Sequence, residues 1–186
     1  TGGGSGIGKG VAAGLAQAGA NVMILGRNAD RLSATTDEIN AAAAGNVRYE
    51  PADVTNEDEI ARVVEAATAW NGRLHGVVHC AGGSQTIGPI TQIDSEGWRA
   101  TVDLNVNGSM YVLKHSAREM VRGGGGSFVG ISSIAGERGR KGNPVYCATK
   151  AAMNHYLEAL RNRLADWAVH VCTIKPGFVD TAMLAQ

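Results

Sequence analysis

Short β-branched runs alternate with longer amphipathic stretches along the whole chain, and no other feature narrows the fold as far. Strands are expected over residues 21–26, 47–51, 74–80, 127–132 and 169–174. Helices fill the gaps. Ile7, Val11, Leu15 and Ala18 recur at helical spacing over 7–18, strong helix formers crowd 29–44, and Thr55 with Asp58 forms a capping box opening 56–70. Two longer helices are expected over 94–121 and 145–167. Such repetition predicts parallel strands joined by right-handed crossovers, an α/β doubly wound parallel sheet in three αβα layers. Val22-Met23-Ile24-Leu25 and Val77-Val78 suit strands covered on both faces. With 44% hydrophobic residues, no repeat and no break in composition, residues 1–186 read as a single domain.

Charge and cysteine usage remove several function classes. Seventeen Lys and Arg balance seventeen Asp and Glu, so no basic surface points to nucleic acid or to a membrane as partner. Cys80, Cys147 and Cys172 are odd in number and form no CxxC pair, which implies neither a disulfide framework nor a zinc site. The spacing of His75, His79, His115, His155 and His170 suits no metal either. A reducing, cytoplasmic location is expected, since no 18-residue apolar run is present.

Glycine makes up 26 of 186 residues, about 14%, or twice the usual ~7%. Its densest cluster, Thr1-Gly2-Gly3-Gly4-Ser5-Gly6-Ile7-Gly8, runs straight into the first helix. Backbone N–H groups and the helix dipole can hold a pyrophosphate there without a positive side chain. Gly3 to Gly10 nearly matches a P-loop, but Gly10 stands where the Mg²⁺-binding hydroxyl belongs. The GxxxGxG spacing of Gly2, Gly6 and Gly8 resembles the TGxxxGxG loop of the short-chain dehydrogenase/reductase family, whose domain is a Rossmann fold. In such a fold an acid at the end of the second strand takes the ribose 2′-OH of NAD. Here that strand ends Leu25-Gly26-Arg27-Asn28. A guanidinium in place of a carboxylate favours the 2′-phosphate, so NADP is the expected cofactor, with NADPH preferred over NAD. Lys9 could add charge or lie on the surface. Asp53-Val54 resembles the family's adenine-side pair, with a helix-start acid as the plainer reading of Asp53.

Tyr146 and Lys150 in Tyr146-Cys147-Ala148-Thr149-Lys150 lie one helical turn apart, on one face. Ionising a free tyrosine at pH 7 needs about 4 kcal/mol, and a unit charge at ~4 Å with an effective dielectric near 20 supplies about that much. Lys150 is therefore of the right size to make Tyr146 a working acid/base. Ser133, thirteen residues before Tyr146, matches the family's carbonyl-binding serine. Asn105 resembles the helix asparagine that holds a relay water, with Asn107 the nearest misassignment. Ala81-Gly82 resembles the close-approach pair after the fourth strand, although His79 and Cys80 stand where the family has two asparagines. A loss of strand stitching is expected there. Lys175-Pro176-Gly177-Phe178-Val179-Asp180-Thr181 resembles the PGxVxT segment, so Gly4, Ser5, Ile7, Pro176, Gly177, Val179 and Thr181 join the expected cofactor set.

The resemblance covers essentially the whole chain and implies an NADPH-dependent reductase of carbonyl compounds, or the reverse dehydrogenase, assembled as a homodimer or homotetramer. It also implies that Thr1 falls at the end of a central first strand and that a substrate lid lies beyond Gln186. Without them the sheet is expected to be incomplete and to fold poorly. Two other functions are weighed: a non-catalytic NADP(H)-binding sensor or scaffold, and an enoyl- or dienoyl-CoA-reductase-like activity of the same superfamily, which lacks YxxxK. Arg138-Gly139-Arg140-Lys141, between Ser133 and Tyr146, reads first as a solvated basic loop beside Glu137 and otherwise as a site for a substrate phosphate or carboxylate.

Overall fold

The structure, a computed structural model, describes residues 1–181. Its elements follow the expected alternation: α1 (Gly6–Gln17), β1 (Val22–Gly26), α2 (Ala29–Asn40), β2 (Val47–Pro51), α3 (Glu57–Asn71), β3 (Gly76–His79), α4 (Ser95–Val102), α5 (Gly108–Arg122), β4 (Gly126–Ile131), α6 (Pro144–Leu164) and β5 (Val169–Ile174). All pairings are parallel, and the architecture is a Rossmann-like αβα fold.

Local chemistry sets the boundaries. Asn40 ends α2 four residues short of the expected limit, because its side chain accepts from Val47 N (2.7 Å) and donates to Val47 O (2.9 Å), bracketing the start of β2. Helix α3 is capped by Asn56, which accepts from the amides of Asp58 and Glu59. The expected capping box is not made, since the Thr55 hydroxyl donates to Asp53 at 2.9 Å. The helix expected over 94–121 is broken by a π turn at Asp103–Asn107. Asn105 sits in that turn 1% exposed, and its carboxamide makes three bonds there: it accepts from Gly83 N and donates to Gly83 O and to Thr149 Oγ1. Those bonds offset the irregular backbone that helical periodicity does not register.

The five strands form two sheets rather than one, β1 with β2 and β3 with β4 and β5. Thr1 to Gly3 bridges them, through Thr1 N to Val78 O (2.8 Å) and Gly3 N to Leu25 O (3.2 Å). Below that bridge the facing edges of β1 and β3 are separated by a largely apolar cavity of about 720 Å³, lined by Leu15, Met23, Ile24, Val77 and Val129 among others. Each sheet keeps its own core. Ala12, Ala16, Ile24, Leu32, Ile39 and Val47 pack under α1 and α2, while Ile60, Val63, Val112, Phe128, Met153 and Leu157 fill the larger cluster under α3, α5 and α6. Burying a side chain the size of Phe128 or Leu157 contributes about 1.5–3 kcal/mol.

Two glycines bring helices into contact with strands. A Cβ on Gly8 would stand 2.3 Å from Gly2 O, and one on Gly130 would stand 2.6 Å from Leu157 Cδ1. The first seats the start of α1 on the glycine loop. The second lets α6 lie on β4, carrying Tyr146 and Lys150 to the carboxyl end of the sheet.

Candidate active site

Two abutting cavities open at the carboxyl ends of the strands, sharing Ile7, Cys80, Gly82 and Thr181. The first, about 330 Å³, is walled by Gly2, Gly4, Ser5, Gly6, Ile7 and Gly8, by Arg27, Asn28 and Arg31, and by Asp53, Val54, Ala81 and Gly82. Its floor is backbone. Gly2 and Gly6 adopt φ of 64° and 52°, which L side chains rarely tolerate, and a Cβ on Gly2 would meet Ala81 N at 3.1 Å. The loop delivers its amides to the N-terminus of a twelve-residue helix, a ready anion site. Arg27 and Arg31 are exposed at the rim, and neither pairs with an acid among the described residues. A glycine cradle that side chains would fill fits the pyrophosphate of a dinucleotide, and two guanidiniums without an acid partner stand at its rim.

Several expected contributors do other work. Asn28 lines this cavity, but its Oδ1 caps α2 by accepting from Arg31 N at 2.8 Å. Asp53 lines it too, with Oδ1 already accepting from Thr55 N and Oγ1, as a helix-start acid does. Lys9 is paired with Glu38 at 2.6 Å and takes no part.

The second cavity, about 290 Å³, holds Ser133, Tyr146 and Lys150 together with Pro176, Gly177, Val179 and Thr181. Ser133 starts a short 3₁₀ turn, where its Oγ accepts from Ala135 N, and Pro176 O accepts from Ile134 N, tying the 176–181 segment to that turn. Lys150 is 4% exposed, and its ammonium donates to Ile131 O at 3.0 Å, at the end of β4. Burial brings its pKa down to about 8. Tyr146 moves the other way: burial pushes the phenol above its usual value, while the Ser133 hydroxyl and the Arg140 cation pull it back.

Lys150 lies 5.6 Å from the centre of the Tyr146 ring, on the expected helical face, while its ammonium donates to a strand carbonyl and the phenol stays neutral at pH 7. The Asn105 carboxamide is bonded to Gly83 and Thr149. A Cβ on the adjoining Gly82 would come within 3.0 Å of Asn105 Oδ1 and 3.3 Å of Lys150 Nζ. Arg31 and Phe178 were not among the expected site residues, and Arg140 was expected there only as the second reading of a solvated basic loop. Arg31 could have been found as the guanidinium one helical turn beyond Arg27, and Phe178 as an aromatic set inside a Pro-Gly segment.

Although the strands were expected to lose the stitching of an asparagine at Cys80, the neighbouring His79 ties them here. It is fully buried; Nδ1 lies 2.9 Å from Thr1 Oγ1 and Nε2 lies 2.8 Å from Ser109 Oγ. Ser109 donates to Asn105 O and Thr1 Oγ1 accepts from the amides of Cys80 and Ala81. Only one assignment of protons, inferred from these partners, satisfies the chain: Thr1 donates to Nδ1, and Nε2–H donates to Ser109. Burial holds the imidazole pKa well below its ordinary 6.5, keeping it neutral.

Parallel αβα layers with a glycine-rich loop at the first helix and a serine, a tyrosine and a lysine converging beside it define a dinucleotide-dependent oxidoreductase. The short-chain dehydrogenase family model matches residues 1–186, and the chain belongs to that family as an oxidoreductase. A short-chain type dehydrogenase/reductase from Mycobacterium ulcerans is 62% identical, with a TM-score of 0.97 over 99% of this chain and 68% of its own. A 7α-hydroxysteroid dehydrogenase solved with NADH and 7-oxo glycochenodeoxycholic acid is 31% identical, with a TM-score of 0.93 over 100% of this chain and 71% of its own. An uncharacterised oxidoreductase of Staphylococcus aureus strain MRSA252 is 35% identical over 185 residues, 100% of this chain and 78% of the relative.

Proposed function

We propose that the protein transfers hydride between NADPH and a carbonyl compound, or the corresponding secondary alcohol in reverse. The observation that carries this reading is the junction of the two cavities, where a neutral phenol and a serine hydroxyl face a glycine cradle flanked by two unpaired guanidiniums. The bound reduced nicotinamide supplies the hydride. Ser133 and Tyr146 receive the carbonyl oxygen, Tyr146 Oη gives it a proton, and Lys150 at the end of β4 provides the positive charge that stabilises the phenolate left behind. Asn105 holds Gly83 by both of its backbone polar groups and helps return the proton to Tyr146 from solvent through Lys150. The solved hydroxysteroid dehydrogenase, with NADH and a 7-oxo compound, supports a carbonyl substrate class.

The choice of NADPH over NADH rests on Arg27, assisted by Arg31, where an acid would take a ribose hydroxyl. The wider reading includes a cytoplasmic setting, in keeping with the free thiols of Cys80, Cys147 and Cys172. No helix among the described residues is long and apolar enough to cross a membrane. It also includes a homodimer or homotetramer, for which Trp98 on α4 and Met110 on α5, 40% and 42% exposed, are candidate contacts. The cavity between β1 and β3 is read as the seat of a further strand that joins the two sheets into one.

Fluorescence titration with NADPH and NADH tests the cofactor assignment. Arg27→Asp should weaken NADPH by roughly tenfold to a hundredfold, the ~1.5–3 kcal/mol of a charge-assisted contact, and leave NADH nearly unchanged. Equal losses for both cofactors would contradict the assignment. Cofactor binding with no turnover of any carbonyl would favour a sensor or scaffold over a reductase.

A further inference from the structure

The cavity beside Tyr146 is apolar at its mouth and contains one cation without a partner. Ile87, Phe178 and Val179 line it while 67%, 76% and 39% exposed. Arg140 lines it as well, with its guanidinium carbon 5.2 Å from the centre of the Phe178 ring. Among the described residues no Asp or Glu lines this cavity and Arg140 pairs with no acid. The acid in its own loop, Glu137, is already bound by Lys175 at 2.6 Å and by Asn154 at 3.1 Å. The other cation of the cavity, Lys150, is directed to Ile131 O.

The basic run that contains Arg140 is not uniformly aimed at the cavity, because neither Arg138 nor Lys141 lines it. The loop is also anchored across the mouth: Gly88 N donates to Gly142 O at 2.9 Å, and Ser84 Oγ donates to Asn143 Oδ1 at 3.2 Å. A guanidinium stacked on an aromatic face keeps its N–H edge free, and that edge matches a carboxylate in two parallel hydrogen bonds. One such group balances a monoanion, whereas a phosphate dianion in the same cavity would keep an uncompensated charge.

We propose that Arg140 determines substrate class by binding the carboxylate of an oxo acid whose apolar body rests on Ile87, Phe178 and Val179 and whose ketone meets Ser133 and Tyr146. This rests on the carbonyl-reductase reading above. Arg140 already acts on the Tyr146 phenol through space, so a carboxylate held there offsets that cation and keeps Tyr146 in its proton-donating form.

The test uses benzoylformate, 3-benzoylpropionate and 4-benzoylbutyrate, each against its methyl ester, with NADPH and the wild-type, Arg140→Gln and Arg140→Lys proteins. At least one acid should exceed its ester in kcat/KM by about tenfold or more, the scale of one charge-assisted bidentate contact. Arg140→Gln should bring that acid-to-ester ratio near unity and Arg140→Lys should restore part of it. Added salt should raise KM for the acid and not for the ester. Esters reduced as well as their acids, or an acid preference that survives Arg140→Gln, would overturn the inference and leave the reductase reading standing. Failure to reduce any acid or ester while NADPH binds would overturn both.

Discussion

The two halves of the cleft are built from different material. The glycine-loop half is mostly backbone: Gly2 and Gly8 press on Ala81 N and Gly2 O, and the cradle itself is one run of sequence neighbours from Gly2 to Gly8. The half around Tyr146 is made of side chains from β4, the 3₁₀ turn after it, α6 and the segment after β5. A backbone site tolerates little change in shape where an added Cβ meets fixed atoms, as at Gly2 and Gly8. A side-chain site sets its chemistry through burial and charge, which depend on what the fold brings near. The first half fixes what kind of cofactor is held; the second is where substrate choice and proton transfer can vary.

The largest effect separating the halves is expected from Tyr146→Phe. It removes the proton donor and should lower carbonyl reduction by about 10²–10⁴-fold, the usual contribution of a positioned general acid, while NADPH affinity changes little. An equal loss of cofactor affinity would mean that the halves are not separable. Gly8→Ala should do the reverse. Its Cβ would fall 2.3 Å from Gly2 O, so the loop must shift at a cost of about 1–3 kcal/mol, weakening NADPH binding roughly tenfold to a hundredfold. Gly10→Ala in the same helix meets nothing within 4 Å and should bind normally, with stability raised by up to about 1 kcal/mol. If both substitutions behave alike in titration and thermal unfolding, close packing of the loop is not what holds the cofactor.

A smaller effect tests the network beneath both halves. His79 has its folded pKa well below the ordinary 6.5, so below that pH the unfolded chain takes up a proton that the folded chain resists. Stability is therefore greatest above pH 6.5 and declines as pH falls toward the folded value. Urea unfolding between pH 7 and 5 should show this slope, and His79→Asn should flatten it. An unchanged slope in the variant would place the acid sensitivity elsewhere.

The same contrast explains what the sequence disclosed. Alternating strands and helices, the glycine loop and the Tyr146–Lys150 spacing are local patterns, and the fold realises them near their expected limits. The π turn at Asn105 was hidden because it is stabilised by Gly83 and Thr149, 22 and 44 residues away. Arg31 was hidden as a site cation and the loop of Arg140 was left with two readings, because a basic residue has the same local signature whether it faces solvent or a cavity. Lys150 was on the expected face, but the direction of its ammonium depends on Ile131 O, 19 residues distant. Even the cap of α3 moved by one position, from Thr55 to Asn56, once Asp53 had engaged the threonine.

Hydride transfer itself is the most direct test. The protein is incubated with methyl benzoylformate and NADPH deuterated at either face of C4, and the product is read by mass spectrometry. The account predicts alcohol carrying one deuterium on the carbinol carbon from one of the two labelled cofactors, and almost none when Tyr146→Phe replaces the wild type. NADPH bound but unconsumed, with no deuterium in the alcohol from either label, across this ester and the three oxo acids, would contradict it.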